Sequence, residues 1–185
     1  MSSVMKGWGC AMDNEEKAED STLSDALRIA MDLEEYGYSF YKDVREFVES
    51  EKGRALLEFL ANQEVDHKRW LKTEHDTLER EISEGTRSDE RLNIELPDPR
   101  TVFSRKDEIT KSMDSIEATK FALEVEKRSI EFYSACGMMT SVETAKELFE
   151  KLSRFEKTHR KLLEENLDYL QTEGDWYGYV PILEG

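Results

Sequence analysis

Apolar residues recur every three or four positions through four long windows of this chain, the period of helices that each bury one stripe. The first window opens at Thr22-x-x-Asp25, which resembles a capping box. Its stripe runs Ala26, Leu27, Ala30, Leu33, Glu34, Gly37, Tyr41, Val44 and Val48, so that Glu34 lies in phase with the core. Its neighbour Glu35 falls about 100° further round and points elsewhere. A turn around Ser50 to Gly53 leads to a second helix over about 54–84, with Leu56, Leu57, Leu60, Glu64, His67 and Leu71 inward and Gly85 as its stop.

Residues 86–113 lack strong periodicity and hold Pro97 and Pro99. That is long for a loop in a compact domain. It predicts a crossover that travels the length of a bundle, with a short helical piece near Ser104 to Thr110 and parallel helices on either side. The third helix starts near Asp114, where Asp114-x-x-Glu117 repeats the capping pattern, and carries Ala118, Ala122, Val125, Glu126, Ser129, Tyr133 and Cys136 inward. A short turn containing Gly137 precedes a fourth helix over about 142–172, with Leu148, Leu152, Phe155, Glu156, His159, Leu163 and Leu167 inward. The expected organisation is an irregular arm over 1–21, hairpins at 22–84 and 114–172 joined by a crossover over 85–113, and a tail over 173–185. The tail, rich in Trp176, Tyr177 and Tyr179, is expected to pack on the bundle end or on a partner.

The two hairpins are copies. Glu64-Val65-Asp66-His67 returns 92 residues later as Glu156-Lys157-Thr158-His159. The same offset carries Glu34, with Phe40-Tyr41, onto Glu126, with Phe132-Tyr133. Glu and His three apart share one helix face and reach the same point. Each half thus offers one inward Glu and one Glu-x-x-His, a duplication that implies a pseudo-twofold axis through the bundle.

The bulk numbers narrow the classes. With 185 residues the chain is one domain's worth, and 37% charged residues with three prolines suit a mostly helical protein. A net charge of −16 argues against nucleic acid as a partner, since that binding neutralises phosphates with Lys and Arg. Cys10 and Cys136 form no CxxC pair, which excludes a zinc knuckle or rubredoxin-type iron site and fits a reducing cytoplasm. No run approaches the roughly 18 apolar residues of a membrane span. Met1 to Met12 lacks the apolar centre of a signal peptide, so a cytoplasmic protein away from membranes is expected.

Four carboxylates in one apolar core repel each other and lose hydration, at a cost of several kcal/mol per ion unless neutralised. Two divalent cations balance four carboxylates, and two neutral imidazoles complete the coordination. Glu34, Glu64, His67, Glu126, Glu156 and His159 are therefore the candidate metal ligands. Carboxylate-rich sites with one His per metal suit iron or manganese; zinc more often recruits Cys or several His. His75, in a charged stretch, reads as a surface histidine, Cys136 as a small core residue and Trp70 as packing.

These residues resemble the ferritin-like di-iron superfamily, and within it the rubrerythrin-like branch, over about residues 22–172. The signals are the segments ending Phe40-Tyr41 and Phe132-Tyr133 and the two Glu-x-x-His motifs. The resemblance implies an all-α, ferritin-like four-helix bundle holding two iron ions, with manganese or a mixed pair as the alternative. It implies that Glu64 and Glu156 bridge the metals, that Glu34 and Glu126 are terminal ligands, and that His67 and His159 bind one metal each. Tyr41 and Tyr133 become either hydrogen-bonding groups behind the ligands or core aromatics with a buried hydroxyl. Rubrerythrins also carry a rubredoxin domain with paired CxxC motifs and a further Glu one turn past the third-helix ligand. Here there is no such motif and that place is Ser129, equivalent to Gly37, so the six-ligand set is closer to the symmetric centre of bacterioferritins. The implied activity is reduction of hydrogen peroxide or dioxygen with electrons from an external, rubredoxin-like donor, in a homodimer. A ferroxidase or iron-handling protein, and a metal-binding bundle without turnover, are the alternatives.

Overall fold

A computed structural model of the chain describes residues 21–112 and 114–178. Most of the expected N-terminal arm, with Trp8 and Cys10, and the end of the tail, with Tyr179, lie outside the described residues. The fold is an all-α, ferritin-like bundle. Its helices are α1 (Leu23–Phe47), α2 (Glu51–Ser83), α3 (Pro99–Val102), α4 (Lys106–Ser112), α5 (Ser115–Met139) and α6 (Glu143–Glu173).

Local chemistry sets most helix ends. Thr22 and Asp25 form a reciprocal capping box at the start of α1. At the start of α5 only half of the equivalent box forms. Asp114 accepts from the amides of Ile116 and Glu117, both at 2.9 Å, while the Glu117 side chain pairs with Arg105 at 2.9 Å instead. Gly85 (φ 71°) and Gly174 (φ 73°) take the left-handed conformation that ends α2 and α6, one that costs glycine little.

Two glycines expected in turns are helical. Gly53 lies inside α2, because the turn from α1 is confined to 48–50 and the helix starts at Glu51. A Cβ on Gly53 would lie 2.6 Å from the indole of Trp176, so this glycine is the seat of the tail's tryptophan. Gly137 lies inside α5, packed on Phe149 and on the Lys146 carbonyl of α6. The α5–α6 turn is 140–142, held by Glu90 of the crossover, which accepts from the Thr140 hydroxyl (2.6 Å) and the Ser141 amide (2.8 Å).

Inward residues follow the expected stripes in α1, α2 and α5. In α6 the stripe is rotated slightly: Phe149 and Asn166 are buried where Leu148 and Leu167 are only half-buried. Asn166 stays inside because its amide group is fully used. It donates to the carbonyls of Leu162 (2.8 Å) and Gly178 (3.1 Å) and accepts from the Gly178 amide (2.8 Å), tying the tail to α6.

Cross-helix pairs fix the topology. Lys68 meets Glu35 and Lys42 meets Glu58, so α1 and α2 are antiparallel. Tyr41 meets Glu126 and Tyr133 meets Glu34, so α1 and α5 are antiparallel as well. Hence α2 and α5 run parallel, and the chain between them must return along the bundle. That crossover starts against the N-terminus of α1, where Leu23 and Leu92 exchange backbone hydrogen bonds with Glu90 and Ser21. It then lies over the groove between α1 and α5, where Lys106 reaches Ser39 (2.6 Å) and Asp43 (2.8 Å). It is helical in two short pieces, α3 and α4, rather than one. Asp98 caps α3 and Pro99 occupies its first turn, where a missing N–H costs nothing.

Candidate metal centre

Halfway along the bundle the four long helices turn six polar side chains onto one another. Glu34 comes from α1, Glu64 and His67 from α2, Glu126 from α5, Glu156 and His159 from α6, and none is more than 4% exposed. Glu35 is outside, paired with Lys68 at 2.9 Å. The sequence phase that chose between these neighbours agrees with their placement.

The six form two groups that share two members. Glu34, Glu64, His67 and Glu156 each offer a ligand atom within 4.8 Å of the others, as do Glu64, Glu126, Glu156 and His159. The shared carboxylates split their oxygens between the histidines. Glu64 Oε2 is 3.4 Å from His67 Nδ1 while its Oε1 is 3.6 Å from His159 Nδ1. Glu156 Oε1 is 3.1 Å from His67 Nδ1 while its Oε2 is 2.9 Å from His159 Nδ1. Glu34 faces only His67 (3.3 Å) and Glu126 only His159 (3.7 Å).

Burial and mutual repulsion dominate the proton chemistry. Burial, then the charges of Glu34 and Glu156, pushes the Glu64 carboxyl well up. Burial, then Glu156, pushes Glu126 up to about 8. Burial opposes the charging of both imidazoles, but the surrounding carboxylates win, carrying His67 up to about 10 and His159 well above its usual value. Burial also works against ionisation of Glu156, yet the two histidines hold it below the usual carboxylate range. Without a cation, then, this core is neutralised by protons.

Hydrogen bonding does not use the set up. His159 Nδ1, His67 Nε2, His159 Nε2 and Glu156 Oε1 are buried without an aligned hydrogen-bond partner among the described residues. His159 Nδ1 and Glu156 Oε2 approach to 2.9 Å without the alignment of a hydrogen bond. The Nδ1 atoms of both imidazoles converge with the carboxylate oxygens, a set of nitrogen and hard oxygen donors that fits a divalent metal.

Behind the carboxylates stand two tyrosines. The Tyr41 hydroxyl donates to Glu126 and the Tyr133 hydroxyl to Glu34, each from the opposite hairpin. Burial, then the neighbouring carboxylates, lifts both phenols well above their usual value, so they remain donors. Both buried hydroxyls are thus hydrogen-bonded to carboxylates of the cluster.

Other singled-out residues lie apart. His75 is half-buried near the surface, 3.3 Å from the Ser24 hydroxyl. Cys136 is a free, buried thiol whose pKa burial raises. Trp70 packs at a tilt against His67 and Phe155, under the Lys151 ammonium (3.4 Å from the ring centre). Sequence reasoning did not single out Phe103. It belongs to the crossover, yet it lines a small pocket that opens onto Glu34, Glu64, Glu126 and Glu156, with Gly37, Phe40 and Ser129. The only sequence signal was an apolar Val102-Phe103 pair in an aperiodic, charged stretch.

The rubrerythrin family model matches residues 10–75 and 72–167. The chain belongs to the rubrerythrin family. Membership implies a metal centre, and in this rubrerythrin-family chain the buried Glu and His groups described above are those able to hold one. A solved structure, a hypothetical protein from Pyrococcus furiosus, is similar in fold at 20% identity, with a TM-score of 0.62 over 88% of this chain and 98% of that one. None of the curated proteins matches the chain. Among the described residues no helix is long and apolar enough to cross a membrane.

Proposed function

We propose that the protein is a di-iron carboxylate oxidoreductase that reduces hydrogen peroxide or dioxygen with electrons from an external donor. The observation that carries this reading is the division of Glu64 and Glu156, each with one oxygen toward His67 and the other toward His159. Two carboxylates that each face both histidines suit bridging ligands; Glu34 with His67, and Glu126 with His159, suit the terminal ligands of one metal each. Iron accounts for both the donor set and the family, and manganese is the alternative.

Glu34, Glu64, His67, Glu126, Glu156 and His159 would hold two iron ions, which in the ferrous state would supply the two electrons that, with two protons, turn one peroxide into two waters. The chain's own groups prepare that reaction. Tyr41 and Tyr133 hold Glu126 and Glu34 in place by donating to one oxygen of each. Gly37 and Ser129 line a small pocket beside the carboxylates, whose size favours a small oxidant over a bulky organic substrate. Burial excludes bulk water, so the charges of the site are screened less than they would be at the surface. Two electrons per turnover then come from outside, from a one-electron carrier such as a rubredoxin-like protein, and a homodimer is the proposed assembly.

The test is iron content after anaerobic purification, followed by peroxide titration of the reduced protein. About two iron ions per chain are expected for this ligand set, oxidised by half an equivalent of peroxide per iron and absent from a Glu64→Ala, Glu156→Ala double variant. Iron that stays bound in the double variant, or ferrous protein inert to both oxidants, would overturn the proposal.

A further inference from the structure

The carboxylate pocket has a roof from outside the ligand-bearing helices. Its walls are Leu33, Gly37 and Phe40 of α1 and Val125 and Ser129 of α5, and Phe103, just past α3, closes it. The ring of Phe103 stacks on Tyr36 (5.6 Å, 23°) and lies tilted or edge-on to Phe40 (6.5 Å) and Phe121 (6.4 Å), so it touches both banks of the groove. It is only 5% exposed. The two residues that follow Ser104 fasten the crossover on each side: Arg105 pairs with Glu117 of α5 at 2.9 Å, and Lys106 with Asp43 of α1 at 2.8 Å. Gly37 lines the same pocket as Phe103, and a Cβ there would meet Glu64 at 3.4 Å. A large side chain thus caps a space that small side chains keep open beneath it.

We infer that Phe103 is a specificity-determining residue, restricting the oxidant at the carboxylate cluster to molecules of hydrogen peroxide or dioxygen size and shutting out organic hydroperoxides. This rests on the oxidant-reducing function proposed above and names the residue that sets its substrate class. Ring removal is expected to enlarge the pocket and to leave the carboxylates in place, because the ring contacts of Phe103 run to Tyr36, Phe40 and Phe121. An organic hydroperoxide that then enters takes the same two electrons and two protons and leaves as alcohol and water.

The test compares wild type with Phe103→Ala, and with Phe103→Leu as a variant that keeps apolar packing while losing the flat ring. Iron-loaded, reduced protein is mixed with hydrogen peroxide or tert-butyl hydroperoxide, and the oxidation rate is read in a stopped-flow instrument. Wild type is expected to prefer hydrogen peroxide, and Phe103→Ala to react with tert-butyl hydroperoxide about 10-fold faster or more than wild type, the scale of discrimination by pocket size. A second readout needs no turnover: in cobalt(II)-loaded protein the visible spectrum should respond to azide in all three proteins and to the bulkier benzoate only in Phe103→Ala. Equal rates of wild type with both hydroperoxides, or benzoate binding unchanged by Phe103→Ala, would overturn the role of Phe103. Wild type inert to hydrogen peroxide would overturn the proposed function instead, and the cobalt spectra would then decide for or against the roof on their own.

Discussion

The Tyr41 hydroxyl donates to the carboxylate of Glu126, although the two residues belong to different hairpins and are 85 positions apart. Tyr133 and Glu34 repeat the arrangement in the other direction, 99 positions apart. The hairpins therefore hold each other's acids, and the centre is coupled to the assembly of both halves.

Tyr41→Phe removes that donor and leaves a buried carboxylate oxygen facing an apolar edge. The expected cost is about 1–3 kcal/mol of stability in the metal-free protein. Metal affinity should fall roughly 10- to 100-fold, as it does when a ligand loses its orienting partner. Thermal melting and metal titration would check both, and an unchanged affinity would reduce Tyr41 to packing.

Substitution of shared and unshared carboxylates should differ in stoichiometry. Glu64 belongs to both four-residue groups and Glu34 to one. Glu64→Ala should lose both metals, whereas Glu34→Ala should keep the one on the His159 side. Metal analysis after dialysis reads the difference directly. Equal losses in the two variants would mean that Glu64 is not shared.

Metal binding should strengthen as pH rises. In the metal-free core His67 is carried up to about 10 and Glu126 up to about 8. Both shifts are upward, so the folded state holds protons that the unfolded chain has released. Their contribution to stability is complete below the unfolded values and is lost as pH climbs through the folded ones. Glu156 has the opposite sign, but its effect falls on the acid side, below the ordinary carboxylate range. A metal must displace the protons, so its affinity rises over the same window. The gap in melting temperature between manganese-loaded and metal-free protein should widen from about pH 6 to about pH 9; a gap that narrows would contradict the proton-filled core.

Gly53→Ala should destabilise the protein, against the usual sign. In a helix interior the exchange ordinarily gains roughly 0.5–1 kcal/mol. Here the new Cβ would sit 2.6 Å from Trp176, a residue only 3% exposed, and must displace it. Melting should drop and tryptophan emission shift to the red. In a Trp176→Ala background the same substitution should regain its normal, stabilising sign.

The six acid and imidazole residues were legible because phase along a helix is a local property. Once Leu33, Gly37 and Tyr41 are inside, a 3.6-residue period puts Glu34 inside with them and Glu35 out. The duplication at 92 residues then marked the second half of the set. Gly53 and Gly137 were instead expected in turns, and Leu167 was expected inside where its neighbour Asn166 is buried. Glycine ordinarily signals a turn and asparagine a surface, but here Trp176, Phe149 and the Gly178 backbone supply reasons for them to be helical or buried.

The four long helices, the buried stripes of three of them, the paired hairpins and the acids and histidines that meet were readable from the chain alone, because each follows from spacing within one helix or from a repeated spacing. Packing set which oxygen of Glu64 and Glu156 faces which imidazole, which tyrosine supports which carboxylate, and that Phe103 lines the pocket. Those relationships join segments tens of residues apart, and the crossover that brings Phe103 there has no period to read. They are fixed by how four helices and one return strand of chain pack around a common centre.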